Sequence, residues 1–147
     1  MQTFLPYPCF TRSAACLDYR RLGKQRVECL QIFRANSLTD PTVGWRNHPA
    51  TLMWRGYDQA LASYALAICE EWTRRNYVSN ITSFFTDFLT TCPDWDDSMD
   101  PPWLGNDHLH ASHRASRLAK DPTHYGQFNW TETPAIDYYW PSKELAP

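Results

Sequence analysis

One stretch constrains the fold more than any other. From Ala50 to about Asn76, the residues Met53, Trp54, Tyr57, Leu61, Tyr64, Ala65, Ile68 and Trp72 recur at three- and four-residue steps. That is the helical period, and so wide an apolar face is hidden only when the helix sits among others. The pattern predicts one long central helix. Asn47-His48-Pro49 supplies a cap and a proline for its first turn, and Arg74 and Arg75 end it with the charge that suits a helix C-terminus.

Two further long helices are expected around it. Thr11 is a candidate cap for a helix running to about Ala35, with Ala14, Leu17, Val27, Leu30 and Phe33 among its apolar positions. Gly23 lies in its middle, where glycine costs about 1 kcal/mol relative to alanine. It marks a close approach by another group, a kink, or a tolerated weak spot. Asp107 is expected to cap the third helix, from His108 to about Ala119. Asn80 to Thr91 reads as a short helix carrying Ile81, Phe84, Phe85 and Phe88, with a strand as the alternative. Asn36–Trp45 and the acidic Pro93–Pro102 are loops by composition. The segment His124–Trp140 is an aromatic coil that has to wrap back onto the helices.

The expected architecture is therefore mainly α: a compact single domain over residues 1–147, with about three long helices, short helices and an aromatic C-terminal coil. At this length one core buries roughly two-thirds of the unfolded surface. Its longest apolar stretch, Leu61–Cys69, falls far short of the ~20 residues of a membrane span. Residues 1–6 do not resemble a secretory signal, and five cysteines without a CxxC pair read as reduced thiols. An intracellular, cytoplasmic monomer, associated with the nucleoid when bound to DNA, is expected.

Net charge is −2, but its distribution is uneven: residues 1–50 hold seven Lys/Arg against three Asp/Glu, and residues 51–100 hold three against eight. Positive potential is concentrated at the N-terminal end, where a phosphate-binding surface would need it. On a helix, Arg21, Lys24, Gln25 and Glu28 share one face, flanked by Arg20 and Arg26. That stripe is either a ligand face pairing cations with one carboxylate, or a salt-bridged solvent face. Farther along, His110 and His113 lie one turn apart, with His48 as a possible partner. They suit hydrogen bonding to nucleic acid or substrate, or a structural role; a metal site would need a further ligand that no recognisable spacing supplies. Twenty-two aromatic residues, seven Trp, eight Tyr and seven Phe, exceed what a modest helical core needs, so some rings are candidates for base stacking.

These segments, in order, resemble the pyrimidine-dimer DNA glycosylase (endonuclease V) family. The likeness rests on Tyr19-Arg20-Arg21-Leu22 with Arg26-Val27, on Pro49 opening a long aromatic-bearing helix that closes with Trp72-Thr73-Arg74-Arg75-Asn76-Tyr77, and on His110-Ala111-Ser112 followed by Asp121-Pro122-Thr123-His124-Tyr125. A closer likeness, to bacterial proteins assigned to that family by similarity, rests on Met1-Gln2-Thr3-Phe4-Leu5-Pro6, on Arg21 to Glu28, and on Pro102-Trp103-Leu104-Gly105. The resemblance implies a repair glycosylase, with a possible AP-lyase step, acting on double-stranded DNA that holds a damaged or modified pyrimidine. No cofactor and no metal are expected.

In the family the nucleophile is an N-terminal α-amine, and a Glu beside an Arg on the first helix stabilises the sugar cation. The large Gln2 side chain should keep Met1 in place, so the resemblance makes Met1 the nucleophile. Aligning Tyr19-Arg20 with the family's Tyr-Arg puts Arg21 at the Glu position, so the carboxylate has to come from Glu28 first or Asp18 second. DNA contacts would come from Arg20, Lys24, Gln25, Arg26, His48, His110, His113, Arg114, Arg117 and Lys120, with Arg20, Arg21, Lys24 and Arg26 gripping phosphates and Arg114, Arg117 and Lys120 adding to the track. Tyr125, Tyr138 and Trp140 are the stacking candidates. The alternatives are a non-catalytic binder of distorted DNA and an enzyme acting on a modified nucleoside.

Overall fold

A computed structural model describes residues 2–37, 44–96 and 99–141. Its helices are α1 (Phe10–Cys16), α2 (Tyr19–Ser37), α3 (Pro49–Trp54), α4 (Asp58–Arg74), α5 (Thr82–Thr90), α6 (Asp107–Lys120) and α7 (Pro122–Tyr125), and a 3-10 turn follows at Gly126–Phe128. Among the described residues there is no strand, and no helix is long and apolar enough to cross a membrane. The mainly α architecture expected from the periodicity is the one observed.

Two of the expected long helices are broken. The helix expected from Thr11 to Ala35 is interrupted at Leu17, whose backbone is extended, and resumes at Tyr19. Asp18 accounts for the restart: its carboxylate faces the backbone N–H of Arg21 at 3.4 Å, a cap-like contact on the new helix. The helix expected from Ala50 to Asn76 is likewise two. Gly56, with φ of +87°, ends α3 in the left-handed conformation that glycine adopts freely, and α4 starts at Asp58. His48 caps α3 through Nδ1, which accepts the Ala50 N–H at 3.0 Å, and Pro49 occupies the first turn. Asn106, not Asp107, caps α6, accepting the Leu109 N–H at 3.2 Å.

The core forms where α4 packs between α1, α2 and α5. Trp54, Leu61, Tyr64 and Ile68 are fully buried there with Leu22 and Ile32 of α2. Gly23 sits under the ring of Trp72: a Cβ at that position would lie 2.8 Å from Trp72 Cη2. The close approach at this glycine is thus made by a side chain of α4.

Residues 2–6 form a buried, non-helical segment threaded between α2, α4 and α6. A buried backbone must satisfy its polar groups, and here side chains do so in place of a sheet. Glu28 accepts the Gln2 N–H at 3.2 Å, and Gln25 bonds both the Gln2 carbonyl and the Phe4 N–H. The Tyr64 hydroxyl donates to the Phe4 carbonyl at 2.6 Å. Leu5 is gripped at both ends: His113 Nδ1 accepts its N–H at 2.9 Å, and His110 Nδ1 donates to its carbonyl at 2.7 Å. Arg114 then binds the Pro6 carbonyl at 2.8 Å.

The aromatic tail packs back as its composition requires. Trp130 stacks on Tyr125 and donates to the Tyr7 hydroxyl at 2.8 Å, while Tyr138 and Trp140 meet edge to face, and Trp140 also meets His48.

Candidate active site

The buried N-terminal segment, one face of α2 and the end of α6 enclose a cleft of about 460 Å³. From α2 come Arg20, Arg21, Lys24 and Glu28; from α6 come Arg117 and Lys120; Gln2, Phe4 and Tyr138 complete the walls. Helical spacing explains the first group, since Arg21, Lys24 and Glu28 follow one another at three and four residues. Five cations thus surround one carboxylate, a local excess that the overall charge of −2 conceals.

Glu28 is buried, with its carboxylate shared among three donors. Oε2 accepts the Gln2 N–H at 3.2 Å and the Gln25 amide at 3.1 Å, and Oε1 lies 3.5 Å from the exposed Lys24 ammonium. Arg117 is the more unusual group. The residue is only 2% exposed, and its guanidinium lies 3.9 Å from the centre of the Phe4 ring. It is held by the hydroxyls of Ser116 and Tyr138, each at 3.1 Å, and makes no salt bridge among the described residues. Its Nε has no acceptor among the described residues. A buried cation without a carboxylate is costly unless an anion arrives with the ligand.

The other expected site residues are placed elsewhere. Asp18 is buried away from the cleft lining. Its carboxylate accepts the Tyr125 hydroxyl and pairs with Arg21 at 3.4 Å. Burial alone would raise its pKa, but these partners outweigh that and hold the carboxyl below its usual value. Tyr125, expected as a stacking platform, is fully buried, and the same burial and hydrogen bond push its phenol up. Gln25, His110 and His113, expected at DNA, are buried and committed to residues 2–5. Burial holds the imidazole of His110 below its ordinary value and drives that of His113 down to about 3.

Arg114 is tied to Glu132 and Pro6, and Arg26 lies over the Trp72 ring and bonds Ser79. His48 caps α3, and burial lowers its pKa. Trp140 packs on His48 and Tyr138 without lining the cleft. Met1 lies outside the described residues. Of the expected set, Arg20, Arg21, Lys24, Glu28, Arg117, Lys120 and Tyr138 converge on the cleft. Sequence reasoning missed Gln2 and Phe4 as walls, because nothing local in residues 2–6 signals a buried segment.

The sequence model of the pyrimidine dimer DNA glycosylase family matches residues 1–84, more than half of the chain. The chain belongs to the pyrimidine dimer DNA glycosylase family. The match covers the buried N-terminal segment and the whole of α1 to α4, and hence the α2 wall of the cleft. The α6 wall of this family member, with Arg117 and Lys120, lies beyond it. Neither a curated protein nor a solved structure matches the chain. Membership gives the cationic cleft its natural context, a DNA-acting repair glycosylase, because a polyanionic backbone is the ligand such an excess of Arg and Lys serves.

Proposed function

We propose that the chain excises a damaged or modified pyrimidine from double-stranded DNA through a Schiff base on its N-terminal amine, with a strand-breaking lyase step to follow. The observation that carries this reading is the hydrogen bond from the Gln2 backbone to Glu28 in the wall of the cationic cleft. It ties the Gln2 backbone to the one carboxylate there. The α-amine of Met1 is one residue away from that bond, and an α-amine has a useful neutral fraction near neutral pH, with an ordinary pKa of roughly 7.7–8.0.

In the proposed reaction Arg20, Lys24 and Lys120 hold backbone phosphates and the target nucleotide leaves the stack for the cleft. The amine attacks C1′ and the base departs with the glycosidic electron pair. Glu28 stabilises the cationic sugar, and Arg21 stays beside it, paired to Asp18. The nitrogen gives up one proton, which neutralises the departed base, and a second passes to O4′ as the C1′–O4′ bond breaks, leaving the C1′=N imine on the opened sugar. Abstraction of a C2′ proton then expels the 3′ phosphate. Glu28 is the carboxylate of choice because it lines the cleft while Asp18 is engaged by Tyr125.

The test is borohydride trapping of tag-free protein on duplexes carrying a cyclobutane pyrimidine dimer or an abasic site, with the adduct mapped by mass spectrometry. An adduct on the N-terminal amine is the expected result. No adduct on either duplex from folded protein would sink the amine mechanism, and tight binding without an adduct would point to a binder of distorted DNA.

A further inference from the structure

Four of the eight large hydrophobic side chains that the described residues expose are gathered round one stretch of α2. Tyr19 and Val27, about half exposed, lie four residues before and after Gly23 and so share its side of the helix. Trp72 covers Gly23, and the turn that follows α4 brings Tyr77 and Val78 to the indole.

That turn is firmly held. Asn76, with φ of +71°, reverses the chain, and the Tyr77 N–H donates to the Trp72 carbonyl at 3.2 Å. The Tyr77 ring stacks on the indole, whose Nε1 donates to the Val78 carbonyl, and the Ser79 hydroxyl accepts from Arg26 at 3.3 Å. Val78 itself is 90% exposed, so its side chain projects from a fixed backbone. A convex apolar point offers a flat protein partner little area. It suits insertion between two stacked bases, where apolar side chains unstack and kink a duplex.

The charge around the point favours nucleic acid. Arg20 and Lys24 line the cleft and adjoin Tyr19 and Gly23 in the chain, so cleft wall and apolar stripe occupy the same two turns of α2, about 10 Å of its length. Neither Arg20 nor Arg26 makes a salt bridge among the described residues, and Glu71, next to Trp72, is taken by Arg74 and Arg75. An apolar protein surface would leave those cations without partners, whereas DNA supplies phosphates for them and a base stack for the tip.

We infer that the turn at Tyr77 and Val78 is a second DNA-binding element, a wedge that inserts Val78 into the base stack of the duplex held at the cleft, with the Trp72 and Tyr77 rings as its rigid backing. The inference rests on the proposed glycosylase reading and adds how the duplex is distorted so that a nucleotide can leave the stack.

The experiment compares wild-type protein with Val78→Ser and Val78→Leu. The side chain lies almost wholly in water and the carbonyl that binds Trp72 survives either change, so both variants should fold as wild type does. Affinity for duplexes with and without a thymine dimer is read by fluorescence anisotropy at several salt concentrations, and bending by energy transfer between dyes at the duplex ends. Val78→Ser should bind the dimer duplex about ten-fold more weakly, with a smaller bend and an unaltered salt slope, since no charge is lost. Val78→Leu should keep both affinity and bend. Wild-type affinity and bend in Val78→Ser would overturn the inference, and so would weaker binding at the wild-type bend, the mark of a simple rim contact. Self-association of wild type in sedimentation that Val78→Ser abolishes, with DNA binding unaltered, would assign the tip to a second copy of the chain instead. A wild-type protein that does not prefer the dimer duplex to undamaged DNA would fail the proposed function itself, and the inference with it.

Discussion

The Nδ1 atom of His113 accepts the backbone N–H of Leu5 at 2.9 Å, which fixes this histidine as the neutral tautomer with its proton on Nε2. Protonation would put a hydrogen on Nδ1 facing another hydrogen, in a fully buried site beside His110 and Arg117. The folded-state pKa is accordingly about 3, against an ordinary value of 6.5. Because the unfolded chain binds the proton more readily, stability is fully present above pH 6.5 and is lost as pH falls toward 3. The slope is about 1.4 kcal/mol per pH unit inside that window. Urea midpoints for wild type at pH 8 and pH 5 should therefore differ, and His113→Asn, which retains an acceptor near Nδ1 but does not titrate, should flatten the dependence. An unchanged slope in the variant would place the acid sensitivity elsewhere.

Gly23 is held without a side chain by Trp72. The indole cannot easily move away: Tyr77 stacks on it at 4.0 Å, Arg26 lies 4.7 Å from it, and its Nε1 donates to the Val78 carbonyl at 3.1 Å. Gly23→Ala should gain about 1 kcal/mol of helix propensity yet lose about 1–3 kcal/mol to overpacking, for net destabilisation. The double variant Gly23→Ala, Trp72→Leu should recover part of the loss relative to Trp72→Leu alone. A stabilised Gly23→Ala protein in chemical denaturation would show that the ring gives way.

The contrast between α4 and residues 2–6 shows which features are legible in such a sequence. Met53, Leu61, Tyr64 and Ile68 announce a core helix because a helical period is a local signal. The breaks at Asp18 and Gly56 were also present as a capping residue and a turn glycine, but apolar periodicity on both sides masked them. The buried segment has no such signal. Its partners are Glu28, 26 positions away, and His110 and His113, at separations of 105 and 108. A pair of histidines one turn apart looks the same whether it meets a phosphate or a peptide group. The cationic wall of α2 was readable from spacing alone, whereas its convergence with Arg117 and Lys120 depends on how α6 packs.

Asp18 and Tyr125 form a buried pair in which the phenol donates to the carboxylate and accepts the Asp18 N–H at 3.2 Å. Asp18→Ala removes a cap-like contact at α2 and strands the hydroxyl, so a loss of about 2–4 kcal/mol is expected. Tyr125→Phe should cost less, and a double-mutant cycle should return a favourable coupling. The folded-state pKa of Asp18 is lowered, so its share of stability is present above the unfolded carboxyl value and disappears as pH drops through the folded one. If Asp18→Ala remained fully stable yet lost excision, Asp18 and not Glu28 would be the better candidate for the sugar carboxylate.

Cleft cations and cations outside it should separate in their salt response. Arg20 and Lys120 line the cleft and make no salt bridge among the described residues, so each neutralises a phosphate at little internal cost. Arg20→Ala or Lys120→Ala should lower the slope of log affinity against log salt concentration by about 1. Arg114→Ala, which breaks contacts to Glu132 and Pro6, should reduce stability and leave that slope unaltered. Titrations at several potassium chloride concentrations decide this, and an equal change for all three would mean that the DNA track extends past the cleft.

Glu28 is where anchoring and chemistry have to be told apart, because the same carboxylate binds the Gln2 N–H and faces the cleft. Glu28→Gln keeps an acceptor for the Gln2 backbone and nearly the same shape, but removes the charge. If the carboxylate stabilises a sugar cation, single-turnover excision should fall by about a hundred-fold or more, the scale of losing one electrostatic contact made in the transition state. Binding of dimer-containing duplex should hold or tighten slightly, since a negative charge has left a cationic cleft. A parallel fall in binding and excision would instead mean that Glu28 acts only by holding residues 2–6 in place, and the stabilising group would have to be sought elsewhere in the cleft.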